Sequence, residues 1–299
     1  MIPATSPTAL PQPVHRRPWG GAGFALVELL AVVSILGVLL GLMLPAVQRA
    51  RETARRTACG NNVRQSALAV CGYAAARRRF PAGCDQAPVH PDLPSGTLHA
   101  WSSVVLPFLE ETGLAGRIDH GRFWNAAGGN DVASRSRVPT YACPSALLDH
   151  IGKADYGGVS GAWMLGVDGV PFTGAAGLTN GILVPRDAAT HPLTAAAVTD
   201  GLGCTLLLAE STDRGPPPVA EPDPDDPSGR WATMNCFAQA AAFVNADASD
   251  IRGPHPGGAE AAFADGRVAF LNEQMDPAVL AAICTRNGGE SAAGSSGVP

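Results

Sequence analysis

Apolar residues are not spread evenly along the chain. From 24 to 47 they run almost without interruption, with Glu28 as the only charge, and fifteen of these positions are Leu, Ile, Val or Phe. At ~1.5 Å per residue a helix of this length covers roughly 36 Å, enough to cross a bilayer. The aliphatic residues favour insertion by roughly 5 to 9 kcal/mol against about 3 for a charge, so the segment inserts despite Glu28. Past Pro45 the pattern turns amphipathic. Val47, Ala50 and Ala54 share one side among arginines, and Val63, Ala67, Val70 and Ala74 repeat at helical spacing. A break or new cap is expected between them at Gly60-Asn61-Asn62.

Beyond residue 80 the runs shorten. Leu98 to Glu111 reads as a helix interrupted near Pro107, and Gly181 to Pro185 and Thr205 to Glu210 read as strands. The sharpest local signal is a hairpin. Glu260 to Ala264 and Arg267 to Leu271 flank Asp265-Gly266, a dipeptide suited to a two-residue turn. Arg214 to Gly229, with six prolines, reads as a loop, and the chain after residue 288 as a flexible tail.

Composition narrows the classes. With 46% hydrophobic residues in 299 the chain has material for a sizeable core, and its 35 glycines and 26 prolines favour a turn-rich, β-containing body. The net charge of −5, without a basic stripe in the body, argues against nucleic acid as a partner. Seven cysteines, at 59, 71, 84, 143, 204, 236 and 284, contain no C-x-x-C pair, so metal–cysteine chemistry is not expected. Some would form disulfides in an exported protein, with the odd one left over; the spacing does not choose the pairs. Arg49, Arg51, Arg55 and Arg56 after the apolar run outnumber the basic residues before it, which by charge counting alone favours a cytoplasmic carboxyl side.

The run Gly23-Phe24-Ala25-Leu26-Val27-Glu28-Leu29-Leu30 resembles the prepilin processing motif. That resemblance implies a cut after Gly23 by a prepilin peptidase, methylation of the new amine on Phe24, and a carboxyl side outside the cytoplasm, against the charge count. Glu28, costly in hydrocarbon, would then be neutralised by the Phe24 amine of a neighbouring subunit during assembly. Pro45 stands where such helices kink. Ser34, Gly37 and Gly41 lie on one helical face, and Gly37-x-x-x-Gly41 suits close packing against another helix.

A wider likeness extends from about residue 23 to 272. His255, nine residues, then Asp265-Gly266 reproduce an H-x9-DG motif, accompanied by Asn61-Asn62-Val63-Arg64-Gln65, Phe80-Pro81-Ala82-Gly83, Trp101 through Glu110, Cys143-Pro144-Ser145, Tyr156-Gly157-Gly158-Val159 and Thr199-Asp200-Gly201. Together these resemble the planctomycete-type family called domain of unknown function 1559, which joins a prepilin-type N-terminus to that motif. The resemblance implies an α+β, pilin-like fold: a long N-terminal helix, membrane-spanning in its first half, packed on a β-rich globular domain with a C-terminal antiparallel hairpin. The expected organisation is a leader over 1–23, a transmembrane helix over 24–47, a helical stalk over 48–79, an extracytoplasmic domain over 80–284 and a tail over 285–299.

The candidate chemistry is sparse. His255 and Asp265 have the residue types of a general base and its orienter, or of two metal ligands, but no nucleophile motif accompanies them. Asp265-Gly266 fits a turn, and His255 fits a hydrogen bond to nearby backbone that fixes the preceding loop. Catalysis is therefore not expected, and the role of His255, Asp265 and Gly266 stays open. Glu221, Asp223, Asp225 and Asp226 are hard oxygen ligands of the kind calcium takes, though a proline-spaced acidic run is more often solvated. Trp101, Trp124, Trp163 and Trp231 are expected mostly in the core rather than in a binding cleft. Expected partners are the membrane, the peptidase, and other copies or other pilin-like subunits. The readings left are a structural subunit of an envelope filament or secretion apparatus, a pilin-anchored binding protein for a glycan or envelope protein, and, with least support, a tethered hydrolase.

Overall fold

The computed structural model describes residues 26–85, 99–146, 152–162, 180–186, 193–212, 230–232, 237–240, 244–245 and 251–289. Gly23, Phe24, Trp163, Cys236 and the proline-rich segment with its acidic run lie outside them. The chain divides into two compact units, residues 1–49 and 50–299. In the first, the described residues form the start of helix α1, Leu26–Arg77, which passes through Pro45. Its large apolar side chains from Leu26 to Val47 face outward, and the space beside Gly37 and Gly41 is open.

In the second unit α1 becomes a core helix. Cys59, Val63, Ser66, Ala67, Ala69 and Val70 are buried, which bears out the spacing from Val63 onward. The buried side does not extend back through Val47, Ala50 and Ala54, which are exposed; Glu52 and Arg56, two turns and one turn before Cys59, are the partly covered positions instead. Nor does the helix break at Gly60-Asn61-Asn62. The Asn62 side chain donates 2.9 Å to the Ala142 carbonyl, and a Cβ on Gly60 would meet Glu260 at 3.5 Å. Both residues serve tertiary contacts, which override their weak helix propensity.

Short elements follow: strand β1 (Cys84–Asp85), helix α2 (Trp101–Val104), a 3-10 turn Leu106–Leu109 with Pro107 at its start, and helices α3 (Thr112–Ala115) and α4 (Gly129–Ser134). The expected interruption near Pro107 is present. The remaining strands are β2 (Tyr156–Ala162), β3 (Pro185–Arg186), β4 (Leu206–Glu210), β5 (Phe237–Ala240), β6 (Gly258–Phe263) and β7 (Val268–Asn272). β1 and β3 form a two-stranded parallel pair. The main sheet has the order β5-β2-β4-β6-β7, antiparallel except where β2 meets β5. Of the Gly181 to Pro185 strand only Pro185 belongs to a strand; Gly181 and Leu183 instead donate to the Ser160 and Val159 carbonyls.

The β6–β7 hairpin forms with Ala262 opposite Val268. Its connection is longer than the two-residue turn expected. Gly266 N–H donates to the Phe263 carbonyl, Phe263 N–H donates to the Arg267 carbonyl, and Gly266 sits at φ +87°. That is a tight turn closed by a bulge glycine, which moves Asp265 one place forward. Asp265 Oδ1 accepts from Arg267 N at 2.9 Å and locks the turn.

Both faces of the sheet are covered. On one, Leu207, Leu208, Ala262 and Ala264 join Val63, Ala67 and Val70 of α1 with Trp101, Tyr141, Tyr156 and Trp231. On the other, Val159, Leu206, Ala209, Ala259, Ala261 and Phe263 pack with Leu280, Ala281 and Ile283. Those last residues belong to helix α5, Pro277–Cys284, which the sequence reading missed. Its signal was present: Asp276 accepts from Ala278 N at 2.8 Å as N-cap, followed by Pro277 at the first helical position. Trp101, Trp124 and Trp231 are all core residues. Gly288 N donates to Asp200 at 2.7 Å, so the described start of the expected tail is tied down.

One ion cluster holds the periphery of this core. The Arg230 side chain, 2% exposed, reaches Asp131 at 3.1 Å, and Arg135 reaches the other oxygen of the same carboxylate at 3.0 Å. Burial disfavours the ionised carboxylate, but the two arginines outweigh it and hold Asp131 below the usual carboxylate range. A depressed folded value means stabilisation that is complete above the unfolded value of about 3.9 and lost as pH falls through the folded one. Asp131→Asn should cost about 1.5 to 3 kcal/mol at neutral pH, because a buried guanidinium loses a charged partner. In thermal melts from pH 7 to 2.5, the gap between wild type and variant should hold at neutral pH and narrow progressively as pH falls below about 3.9, the unfolded value.

Candidate functional site

The residues that stand out chemically surround one buried histidine. Glu210 ends β4, the strand TLLLAE in which five apolar or small positions precede a carboxylate, and its side chain is fully buried. Gly253 makes room for it: a Cβ there would sit 2.5 Å from Glu210 Oε2. Glu210 Oε2 accepts the Glu260 backbone N–H at 2.7 Å. Glu210 Oε1 lies 3.3 Å from His255 Nε2 but has no aligned donor, which leaves a buried carboxylate oxygen facing the histidine.

His255 stands just before β6, its backbone bridged to Gly258. Its Nδ1 is 2.8 Å from Glu52 Oε1, supplied by α1, and its Nε2 is 3.6 Å from Cys143 Sγ. Cys143 is disulfide-bonded to Cys59, so the bridge joins α1 to the loop after the 3-10 turn Pro139–Tyr141. Asp155 Oδ2 accepts the Cys143 backbone N–H at 2.7 Å and pairs with buried Lys153 at 3.4 Å. Around the rim, Arg55 pairs with Glu52 at 2.6 Å, and Arg56 pairs with Glu260 at 3.0 Å while lying 3.5 Å over the Phe270 ring.

These charges set one another's ionisation. Burial works against the His255 imidazolium, yet the Glu210 and Glu52 carboxylates beside it raise it above the ordinary histidine range. Burial disfavours the Glu52 carboxylate, but His255 and Arg55 outweigh it and lower it. Glu210 is the reverse: burial raises it and its partners recover only part of the cost. Burial, and then the charges of Glu210 and Asp155, push the nearby Tyr156 hydroxyl well above its usual value. Tyr156 therefore stays a neutral donor to the Cys59 carbonyl, at 3.5 Å.

The two ends of the H-x9-DG motif do not meet. His255 precedes β6 and Asp265 follows it, and six strand residues at ~3.3 Å separate them by roughly 20 Å. A His255–Asp265 base–orienter pair is thereby ruled out, and so is a shared metal. Asp265 and Gly266 build the turn; the His255 ring pairs with two carboxylates rather than with the backbone partner expected from the sequence. Glu52 and Glu210 were missed because they lie 203 and 45 positions from His255, beyond any local spacing rule. The Cys59–Cys143 pairing was equally invisible. The sulfurs of both cysteines, a Glu210 oxygen and a His255 nitrogen lie within 4.8 Å of one another.

The bridge closes a loop across 84 positions. Loop-closure entropy puts its contribution at about 4 to 5 kcal/mol. Reduction in metal-free buffer should lower the unfolding free energy by most of that amount, read as a lower urea midpoint, and the Cys59→Ser/Cys143→Ser double variant should show the same midpoint with or without reductant.

No curated protein and no solved structure matches the chain. The family described as protein of unknown function (DUF1559) matches residues 48–278, a span that holds Glu52, the Cys59–Cys143 bridge, Glu210, His255 and the Asp265-Gly266 turn. By that match over most of its length, the chain belongs to the DUF1559 family.

Proposed function

We propose that the chain is a membrane-anchored, pseudopilin-like structural subunit of an envelope filament or secretion apparatus, cut after Gly23 by a prepilin peptidase. The observation that carries this is the outward-facing apolar surface of α1. From Leu26 to Val47 its large aliphatic side chains are exposed, with Glu28 as the only charge. An exposed apolar surface of that size is not stable in water and calls for lipid or other helices as its solvent. α1 is the one helix among the described residues long and apolar enough to span a bilayer. The Cys59–Cys143 bridge favours an oxidising compartment for residues 50–299, which agrees with an extracytoplasmic domain and goes against the arginine count.

The anchored-binding-protein reading has one observation in its favour. A cavity of about 480 Å³ near the end of α1 is lined by Cys71, Ala74, Phe80 and Ala264 together with Arg78 and Arg79. Its apolar walls suit a small ligand better than a glycan.

Intact-mass and N-terminal analysis of the protein from host membranes, beside Glu28→Ala, separates the readings. The subunit reading expects an N-methylated Phe24 terminus and crosslinked multimers that the variant loses. A Phe24 terminus with multimers unchanged in the variant would favour the anchored binding protein. A Met1 terminus, or a cut beyond Ala46, would overturn processing by the peptidase.

A further inference from the structure

We infer that Cys59, Cys143, Glu210 and His255 form a zinc site in the reduced chain, and that the metal and the Cys59–Cys143 disulfide are alternative occupants of the same place. Absence of C-x-x-C spacing speaks only to ligands close in sequence; here the fold gathers four distant ones within 4.8 Å.

The geometry matches a tetrahedral ion. With Zn–S near 2.3 Å and Zn–N and Zn–O near 2.0 to 2.2 Å, a tetrahedron has N–O edges of about 3.4 Å and N–S edges of about 3.6 Å. The corresponding separations are 3.3 Å, from His255 Nε2 to Glu210 Oε1, and 3.6 Å, from His255 Nε2 to Cys143 Sγ. Reduction requires the sulfurs to move apart to about 3.8 Å, the S–S edge of the same tetrahedron. Two thiolates, an imidazole and a carboxylate are a donor set suited to zinc.

Two further features point to a ligand. Glu210 is fully buried, its Oε2 is committed to the Glu260 N–H, and its Oε1 is left without an aligned donor. His255 Nε2, 3.3 Å from that oxygen, is not aligned for a hydrogen bond, which leaves the carboxylate poorly compensated unless something else occupies the site. The other is the Glu52 contact: Glu52 Oε1 lies 2.8 Å from His255 Nδ1, so Nδ1–H stays on that carboxylate when a metal replaces the proton on Nε2, the nitrogen that faces Cys143 and Glu210. A carboxylate behind the distal ring nitrogen is the usual support of a zinc-bound histidine.

The exchange balances. A dithiol donor reduces the bridge to two thiols and is itself oxidised to a disulfide. Zinc then displaces the two thiol protons, and the proton on His255 Nε2 where the ring carries it, to solvent. In the reverse direction a disulfide-carrying oxidant takes the two thiolates through a mixed disulfide, and the ion leaves as the Cys59–Cys143 bond closes. A newly made chain in a reducing compartment would carry zinc, and an oxidised one the bridge.

The test uses the full chain in detergent, titrated with Zn²⁺ and, for spectroscopy, Co²⁺, with the bridge reduced or intact. The expected result is one ion per reduced chain, with cobalt bands of a tetrahedral thiolate complex, and none per oxidised chain. His255→Gln and Glu210→Gln should each weaken binding at least tenfold, and Glu52→Gln by about 10- to 100-fold with the ligand set intact. If the reduced chain loses its fold, zinc should restore the native circular dichroism, and its failure to do so would overturn the site. Equal uptake by oxidised and reduced chains, or uptake indifferent to His255→Gln and Glu210→Gln, would sink it as well.

Discussion

A carboxylate buried in the middle of a β-sheet is the constraint around which the rest is arranged. Glu210 ends a strand whose other positions are all buried and apolar or small, and none of its side chain is exposed. An ion so placed is destabilising by several kcal/mol unless fixed partners compensate it. The compensation comes from four places in the chain: the β6 backbone through Glu260 N–H, the loop before β6 through His255, the helix through Glu52 behind that histidine, and Gly253, whose missing side chain lets the loop close over the charge. None of these is local to Glu210, so satisfying it fixes how β4, β6 and α1 come together.

The same requirement explains the size of the residues between them. Ala262 and Ala264 face α1 across the sheet, and Cys71 Sγ approaches the Ala264 carbonyl at 3.3 Å. Small side chains on β6 let the helix approach closely enough for Glu52, Arg56 and Cys59, successive positions on one face of α1, to reach His255, Glu260 and Cys143. Bulk is supplied elsewhere in that layer, by Trp101, Tyr141, Tyr156 and Trp231.

Much of the fold was legible because it is written in local patterns. The apolar run of α1, the helical spacing from Val63 to Ala74, β4 and the β6–β7 hairpin follow from periodicity and turn chemistry. The misreadings share a cause: a residue that signals an end when read locally is used for a contact far away. Gly60 and Asn62 read as a helix stop, but Asn62 bonds Ala142 and Gly60 gives room to Glu260. In the candidate site the histidine was legible from its motif, and its partners were not. Glu52 sits among arginines and looks like one more surface charge; only the position of Glu210, ending an otherwise apolar strand, marked it as unusual.

The nine-residue spacer of the H-x9-DG motif has a physical meaning in this arrangement. It comprises the two residues after His255, the six residues of β6, and the one residue before Asp265. Along β6, Ala259, Ala261 and Phe263 face α5, whereas Glu260, Ala262 and Ala264 face α1. Because side chains alternate with period two, one residue more or less in the spacer would slip the strand and exchange these faces. Phe263 would then be driven against α1, Glu260 would enter the apolar layer beneath α5, and the N–H that serves Glu210 would be lost. The turn at Asp265-Gly266 holds one end of the strand and His255 holds the other, so the motif acts as a ruler for register: its two ends need not touch, but the number of residues between them cannot change.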